Sequence, residues 1–350
     1  MGACVILLSV MEVKESSCTY LENLLKGGRG YKMEMNTTAP TTTTRKKLGF
    51  LGKLKANKVL LAMCLPAIVF FVVFSYAPLP GIYIAFTNFN FAKGIFGSDF
   101  VGFKNFEFLV KSGQLWQLTR NTVLYNVAFI VLGNVLQIVL AIMLNEVKNK
   151  LFRKVSQTLM FLPYFISAVL IGAIAFNVLN YDTGALNTLI KSFGGDPLKI
   201  YSMKNAWPII IVFCQLWQST GYGSIVYFAT ITGIDNSIIE AAEVDGANTW
   251  QRIRHIILPS LKPTFIILFL FSLGGIMKGN FGLFYNLVGN NSQLFATTDI
   301  IETSVYRMMM SQNNFTSSTA VGLYQSIFGF ALVMFSNWLV RRINKDYALF

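Results

Sequence analysis

The chain is 350 residues long, 54% hydrophobic and only 13% charged, with a mean hydropathy of +0.53, and that balance excludes a soluble globular domain. The net charge is +13, which would speak for nucleic acid only if the basic residues gathered on one soluble face. They are scattered between long apolar runs instead, so an integral membrane protein with no nucleic-acid partner is expected.

The chain opens with "MGACVILLSV", too short to span a bilayer and lacking a basic residue before its apolar run, so it fits neither a membrane helix nor a signal peptide. Ile6 stands where a myristoylation site needs Ser or Thr. "KGGRGYKM" reads as the translation of a purine-rich ribosome-binding run, so initiation is expected at Met33 or Met35, with residues 1–32 outside the natural protein. "NTTAPTTTT" is polar and repetitive, and the whole of 1–57 is expected to be a disordered cytoplasmic tail.

A helix that crosses a hydrocarbon core about 30 Å thick needs roughly 20 apolar residues. Six runs meet that need, at 59–86, 121–146, 158–179, 207–231, 264–287 and 319–340. The expected fold is therefore an all-α integral membrane domain of six transmembrane helices over 58–345. With a cytoplasmic N-terminus, the inner segments hold the cluster from Arg45 to Lys58 together with Lys148, Lys150, Arg153, Lys154, Arg252, Arg254, Lys262, Arg341, Arg342 and Lys345. That is about twice the number outside, the positive-inside signature, so both termini are expected in the cytoplasm of a bacterial plasma membrane. The outer segments "FNFAKGIFGSDFVGFKNFEFLVKSGQ" and 181–206 are rich in aromatics and turn residues and are expected to be compact. They suit either a partner or a seal at the aromatic belt. Cys4, Cys18, Cys64 and Cys214 have no metal-type spacing and no expected disulfide.

One inner segment, 232–262, is charged and helix-like where a plain connector would serve. Ser237 and Glu240 have capping-box spacing, and Asp245-Gly246 suits a left-handed helix end. A second short helix is expected over 249–257, stopping before Pro259 and Pro263. Ala241 and Ala242 are small enough for another surface to come close.

At "EAA", Gly246 and "IILP" the chain resembles the EAA loop of the membrane subunits of binding-protein-dependent ABC importers. "YAPLPGIYIAFTNFNFAKGIFGSDFVGFKNFEFL", "RKVSQTLMFLPYFISAVLIG" and "TAVGLYQSIFGFALVMFSNWLVRRI" resemble the carbohydrate-type permeases, in particular the branch linked to complex oligosaccharides. The resemblance covers roughly 58–344. It implies a permease of the ABC importer type with a cytoplasmic coupling helix, on which Glu240, Ala241, Ala242, Asp245, Gly246, Leu258 and Pro259 meet an ATPase. It also implies a second similar permease, two ATPase subunits that carry ATP and Mg, an extracytoplasmic solute-binding protein and an oligosaccharide substrate.

Chemistry within the subunit is not expected. There is no G-x-x-x-x-G-K-[ST] to cradle phosphates, no nucleophile–base set in the spans, and the one histidine, His255, falls beside Arg254 on the inner segment as a surface residue. A substrate path is sought among polar side chains at membrane depth, where burial costs free energy unless they face a partner or a watery cavity. Gln215, Trp217, Gln218 and Tyr222 of "QLWQSTGYG" offer aromatic faces and amides suited to sugars. Lys278, the one charge well inside a run, offers a counter-ion for a uronate, or else snorkels to the outer headgroups; Asn280 lies close by. In maltose-type relatives the sugar is held by the spans flanking the EAA loop. Tyr222 and Ser272 match such positions, whereas Ile276 and Gly279 do not. Asn126, Asn134, Gln137 and Asn177 are weaker candidates, equally explained by interhelical hydrogen bonding. The rival reading is a secondary transporter driven by an ion gradient, which calls for paired intramembrane carboxylates and an inverted repeat.

Overall fold

Long apolar runs fold as helices because a helix satisfies every backbone N–H and C=O within one segment, away from water. A computed structural model describes residues 58–343. The expectations for 1–57, disorder and a start at Met33 or Met35, lie outside the described residues. The chain divides after Gly81 into two units. The first contains α1 (Lys58–Phe71), which runs into a π turn at Val72–Tyr76 and a 3-10 segment starting at Leu79.

The second unit begins with the outer loop, which is compact as expected. Strands β1 (Thr87–Asn88) and β2 (Asp99–Phe100) pair antiparallel, Thr87 opposite Phe100, and α2 (Lys104–Lys111) follows. Asn105 Nδ2 donates to the carbonyls of Ala85 and Thr87 at 2.8 and 3.1 Å, fastening α2 to the hairpin.

Membrane-length helices then alternate with short ones. In chain order they are α3 (Gln114–Glu146), α4 (Lys150–Phe161), α5 (Ala168–Leu179), α6 (Ala185–Ser192) and α7 (Trp207–Thr232). After the inner segment, with α8 (Asn236–Val244) and α9 (Thr249–Arg252), come α10 (Leu258–Gly274), α11 (Phe281–Val288), α12 (Ile301–Met310) and α13 (Phe315–Ile343).

Among the described residues, five segments are long and apolar enough to cross, and a sixth qualifies if the two arms of a bent pair count as one span. Two expected spans change shape. The run at 158–179 begins earlier, at Lys150, and bends by 93° between Phe165 and Ala168, where Pro163 sits in a 3-10 turn that cannot continue the helical ladder. The run at 264–287 is not one helix. The crossing segment is Thr249–Gly274, and Gly274-Gly275 ends it before a non-helical stretch leads into α11. The apolar pattern could not separate these arms, since both are hydrophobic.

Three buried clusters stack through the second unit. Tyr125, Trp207, Ile211, Leu283 and Phe284 join α3, α7 and α11. Leu109, Leu118, Met277, Met308 and Val321 tie the outer loop to α12 and α13. Tyr227, Ile231, Ile257 and Leu261 pack at the inner end. Two glycines permit close approach of backbone from another part of the fold. A Cβ on Gly221 would lie 1.7 Å from the Met160 carbonyl oxygen, and one on Gly172 would lie 2.4 Å from that of Asn286.

Both contacts are with backbone, which cannot rotate aside. Gly221→Ala and Gly172→Ala are therefore expected to destabilise the bundle by about 1–3 kcal/mol each, read as a lower thermal midpoint of the detergent-purified protein.

Candidate functional site

The stretch from Gly275 to Asn280 leaves the helical ladder next to polar side chains of α3, α7, α12 and α13. Four of its backbone groups are bonded by one of them. Asn126 Nδ2 donates to the carbonyls of Ile276 and Lys278, both at 3.0 Å. Gln325 Nε2 donates to the Met277 carbonyl at 2.6 Å. The Gly279 N–H donates to Glu302 Oε1 at 2.7 Å, and the same oxygen accepts Gln325 Nε2 at 2.6 Å. Asn280 closes the stretch: its Oδ1 accepts the Leu283 N–H at 3.2 Å, capping α11, while its Nδ2 donates to Gln215 Oε1 at 2.8 Å. Glu302 Oε2 is buried with no hydrogen-bond partner.

Of the path candidates, Gln215 and Asn280 are thus brought together, with Lys278 two positions before Asn280 in the same break. Lys278 is not inside a continuous span. It lies in the break with its side chain exposed, and among the described residues it forms no ion pair. Gly279 has little room for a side chain, since a Cβ there would stand 2.4 Å from Ile300 Cδ1 and 2.7 Å from Glu302 Oε2.

Gln218 and Tyr222 belong to a different place, the bend between α4 and α5. Gln218 Nε2 donates to the Ile166 carbonyl at 2.8 Å, and Tyr222 stacks on Tyr164 with ring centroids 4.4 Å apart and planes at 12°. Trp217 is 42% exposed, and the Ser272 hydroxyl donates back to Leu268 within its own helix. Asn134 and Asn177 have structural partners, the Tyr227 hydroxyl and the Ala173 carbonyl. Sequence reasoning missed Glu302 and Gln325. Their signal was present, since each is a polar residue in an apolar stretch, "DIIETSV" and "GLYQSIF", but Glu302 falls between the expected spans.

At the inner end, α8 carries the EAA residues. Its cap is Asp235, not Ser237: Asp235 Oδ1 accepts the Ser237 N–H at 3.0 Å. The expected box at Ser237 and Glu240 is therefore not formed, because the helix starts one turn position earlier. That bond to Ser237 holds the Asp235 carboxyl below the usual range. Gly246 has φ +81°, the left-handed value that ends α8, and the Ala247 N–H returns to the Ala242 carbonyl at 2.9 Å. Glu240, Ala241, Asp245, Gly246, Leu258 and Pro259 are exposed and Ala242 is half-buried.

The second inner helix does not stop before Pro259. A box between Asn248 and Gln251 starts α9, a π turn at Ile253–Ile257 follows, and the helix continues into α10. Pro259 sits in the first turn of α10 after the π turn, and Pro263 is absorbed inside the helix. His255 is exposed, with Nδ1 3.0 Å from the Gln251 carbonyl.

The sequence pattern of the family described as binding-protein-dependent transport system inner membrane component matches residues 133–345. The chain belongs to this family. Protein LplB of Bacillus subtilis (strain 168) is 30% identical over 308 residues, covering 88% of this chain and 96% of that protein. The polygalacturonan/rhamnogalacturonan transport system permease protein YteP of the same organism is 33% identical, covering 86% and 93%. Among solved structures, a bacterial ABC transporter involved in the import of the acidic polysaccharide alginate superposes on 83% of this chain and 98% of its own, with a TM-score of 0.75 and 32% identity. A second structure, of an alginate ABC transporter in complex with an alginate pentasaccharide-bound periplasmic protein, matches at a TM-score of 0.75 and 31% identity. The chain is thus a multi-pass membrane permease of an ATP-driven importer, all-α and of the ABC importer permease type, and not a secondary transporter. It is a transport component.

Two outcomes follow from this geometry. Gln325→Leu strands the Met277 carbonyl and one bond to Glu302, so it is expected to cost about 1–3 kcal/mol, measured as a fall in the thermal midpoint. A carboxyl whose pKa is lowered on folding stabilises above its unfolded pKa of about 3.9 and ceases to do so as the pH falls through the folded value. Amide exchange at Ser237 and Ile238 should therefore be faster in Asp235→Ala than in the parent at neutral pH, with the difference vanishing in acid.

Proposed function

We propose that this permease carries acidic oligosaccharides, of the uronic-acid class, through a path bordered by the break between α10 and α11. The observation that carries the reading is the exposed Lys278, which has no ion partner among the described residues and lies two positions before Asn280 and its bond to Gln215. A cation presented from a side-chain-clasped break attracts a carboxylate in a low-dielectric surrounding far more strongly than in water, and the amide pair supplies donors and acceptors for hydroxyl groups. The similarity to an alginate importer and to a polygalacturonan/rhamnogalacturonan permease supports the same class.

In this reading both termini are cytoplasmic, and α8 is the coupling helix. Glu240, Ala241, Ala242, Asp245 and Gly246, with Leu258 and Pro259 behind them, seat in a cleft of one of two ATPase subunits that bind ATP and Mg on separate polypeptides. A second, similar permease forms the other half of the path, and an extracytoplasmic binding protein delivers the glycan. Closure of the ATPases moves the coupling helices, and the spans alternate between inward and outward states.

Two measurements test it. Glu240→Arg or Gly246→Leu should abolish co-purification of the ATPase, and retention of the ATPase overturns the coupling assignment. Lys278→Gln should lower uptake of oligogalacturonate about tenfold or more, equivalent to losing about 1.4 kcal/mol, while leaving a neutral oligosaccharide unaffected. Equal uptake of the acidic sugar by parent and variant overturns the substrate class.

A further inference from the structure

Beyond the loop that joins α7 to α10, the inner segment has a second connection to the bundle. Arg252, at the end of α9, has a side chain only 17% exposed. Its guanidinium is paired with Glu243, in the last turn of α8, and lies 3.9 Å from the carboxylate of Glu146. Glu146 is the last residue of α3. One cation is thus shared between the inner helix and the foot of the second membrane-length helix, around a cavity of about 310 Å³ also lined by Lys148, Lys150, Arg153 and Ile239.

A point twenty residues before the foot of that helix is equally well placed. α3 is unbroken from Gln114 to Glu146, and the stretch from Asn126 to Glu146 is about 30 Å long at 1.5 Å per residue. Asn126 is the side chain that takes the Ile276 and Lys278 carbonyls. A helix packed along its length is stiff, so a displacement at its foot reaches Asn126 with little loss, provided both ends are fastened.

We propose that α3 is a strut that carries movement of the inner helix to the Gly275–Asn280 break, with Arg252 as the positioning residue that fastens its foot through Glu146. The inference rests on the reading of α8 as the coupling helix but not on the identity of the glycan. Movement of α8 shifts Arg252 between its two carboxylates and pulls or releases Glu146. The strut passes the shift to Asn126, which repositions the carbonyls on either side of Met277. Coupling therefore reaches the path through α3 as well as through the helices that flank the loop directly.

The test uses the importer complex purified from its host through a tag on this chain and reconstituted in liposomes. Hydrogen exchange of the 275–280 amides is followed with and without ATP and vanadate, and the amount of ATPase retained is measured in parallel. In the parent, nucleotide should change protection of the break. Arg252→Gln and Glu146→Gln should each reduce that response between about fivefold and a hundredfold while the ATPase stays bound and hydrolyses ATP. The double variant should be no worse than either single one, because the two act through one contact. Arg252→Lys should keep most of the response, which separates a lost charge pair from a damaged fold. An unchanged response in Glu146→Gln, additive losses in the double variant, loss of the ATPase from Arg252→Gln, or a break insensitive to nucleotide in the parent overturns the proposal. Loss of the ATPase only from the Glu240 and Gly246 variants bears on the coupling helix alone, so the two readings fail separately.

Discussion

The structure depends on one constraint: away from water, a backbone N–H or C=O that leaves its helix must find another partner or forfeit several kilocalories per mole. Among the described residues, the bend between α4 and α5 and the break between α10 and α11 are such stretches, and each is met by amide or carboxylate side chains from neighbouring helices. At the bend between α4 and α5 the partner is Gln218. At the break between α10 and α11 the partners are Asn126, Gln325 and Glu302, with Asn280 capping the helix that follows. Non-helical backbone at such depth is stable only where protein or a watery path surrounds it, so these clasps also mark where a path can run.

The clasps show which polar side chains are already engaged in holding backbone. Gln218 is engaged in holding the bend, and Gly279 is bare because Ile300 and Glu302 fill the space where a side chain would go. Lys278 is left without an ion partner among the described residues.

Legibility in the sequence followed the length scale of each signal. The long apolar runs, the positive residues between them and the EAA stretch are local patterns, and they led to the correct class of fold. Asp235 displaced Ser237 as the cap because both are good N-cap residues and only helix packing selects between them. The helix over 249–274 ran past Pro259 because a proline in a first turn needs no donor, and a π turn ahead of it reset the ladder. Glu302 went unseen because it falls between the expected spans; in the fold, α12 packs against α13 and brings its carboxylate to the break.

Sequence alone therefore determined that the chain lives in a membrane, how many apolar runs it has, and which inner segment stands apart, since each depends on composition or on neighbours a few positions away. Tertiary structure alone decided that the fifth run is a helix, a break and a second helix, and that Gln215, Asn126, Glu302 and Gln325 converge on it. The reason is physical: whether a glycine pair ends a helix at depth depends on side chains from distant helices being in place to take up the freed backbone groups, and one strand of sequence does not show which of them will meet.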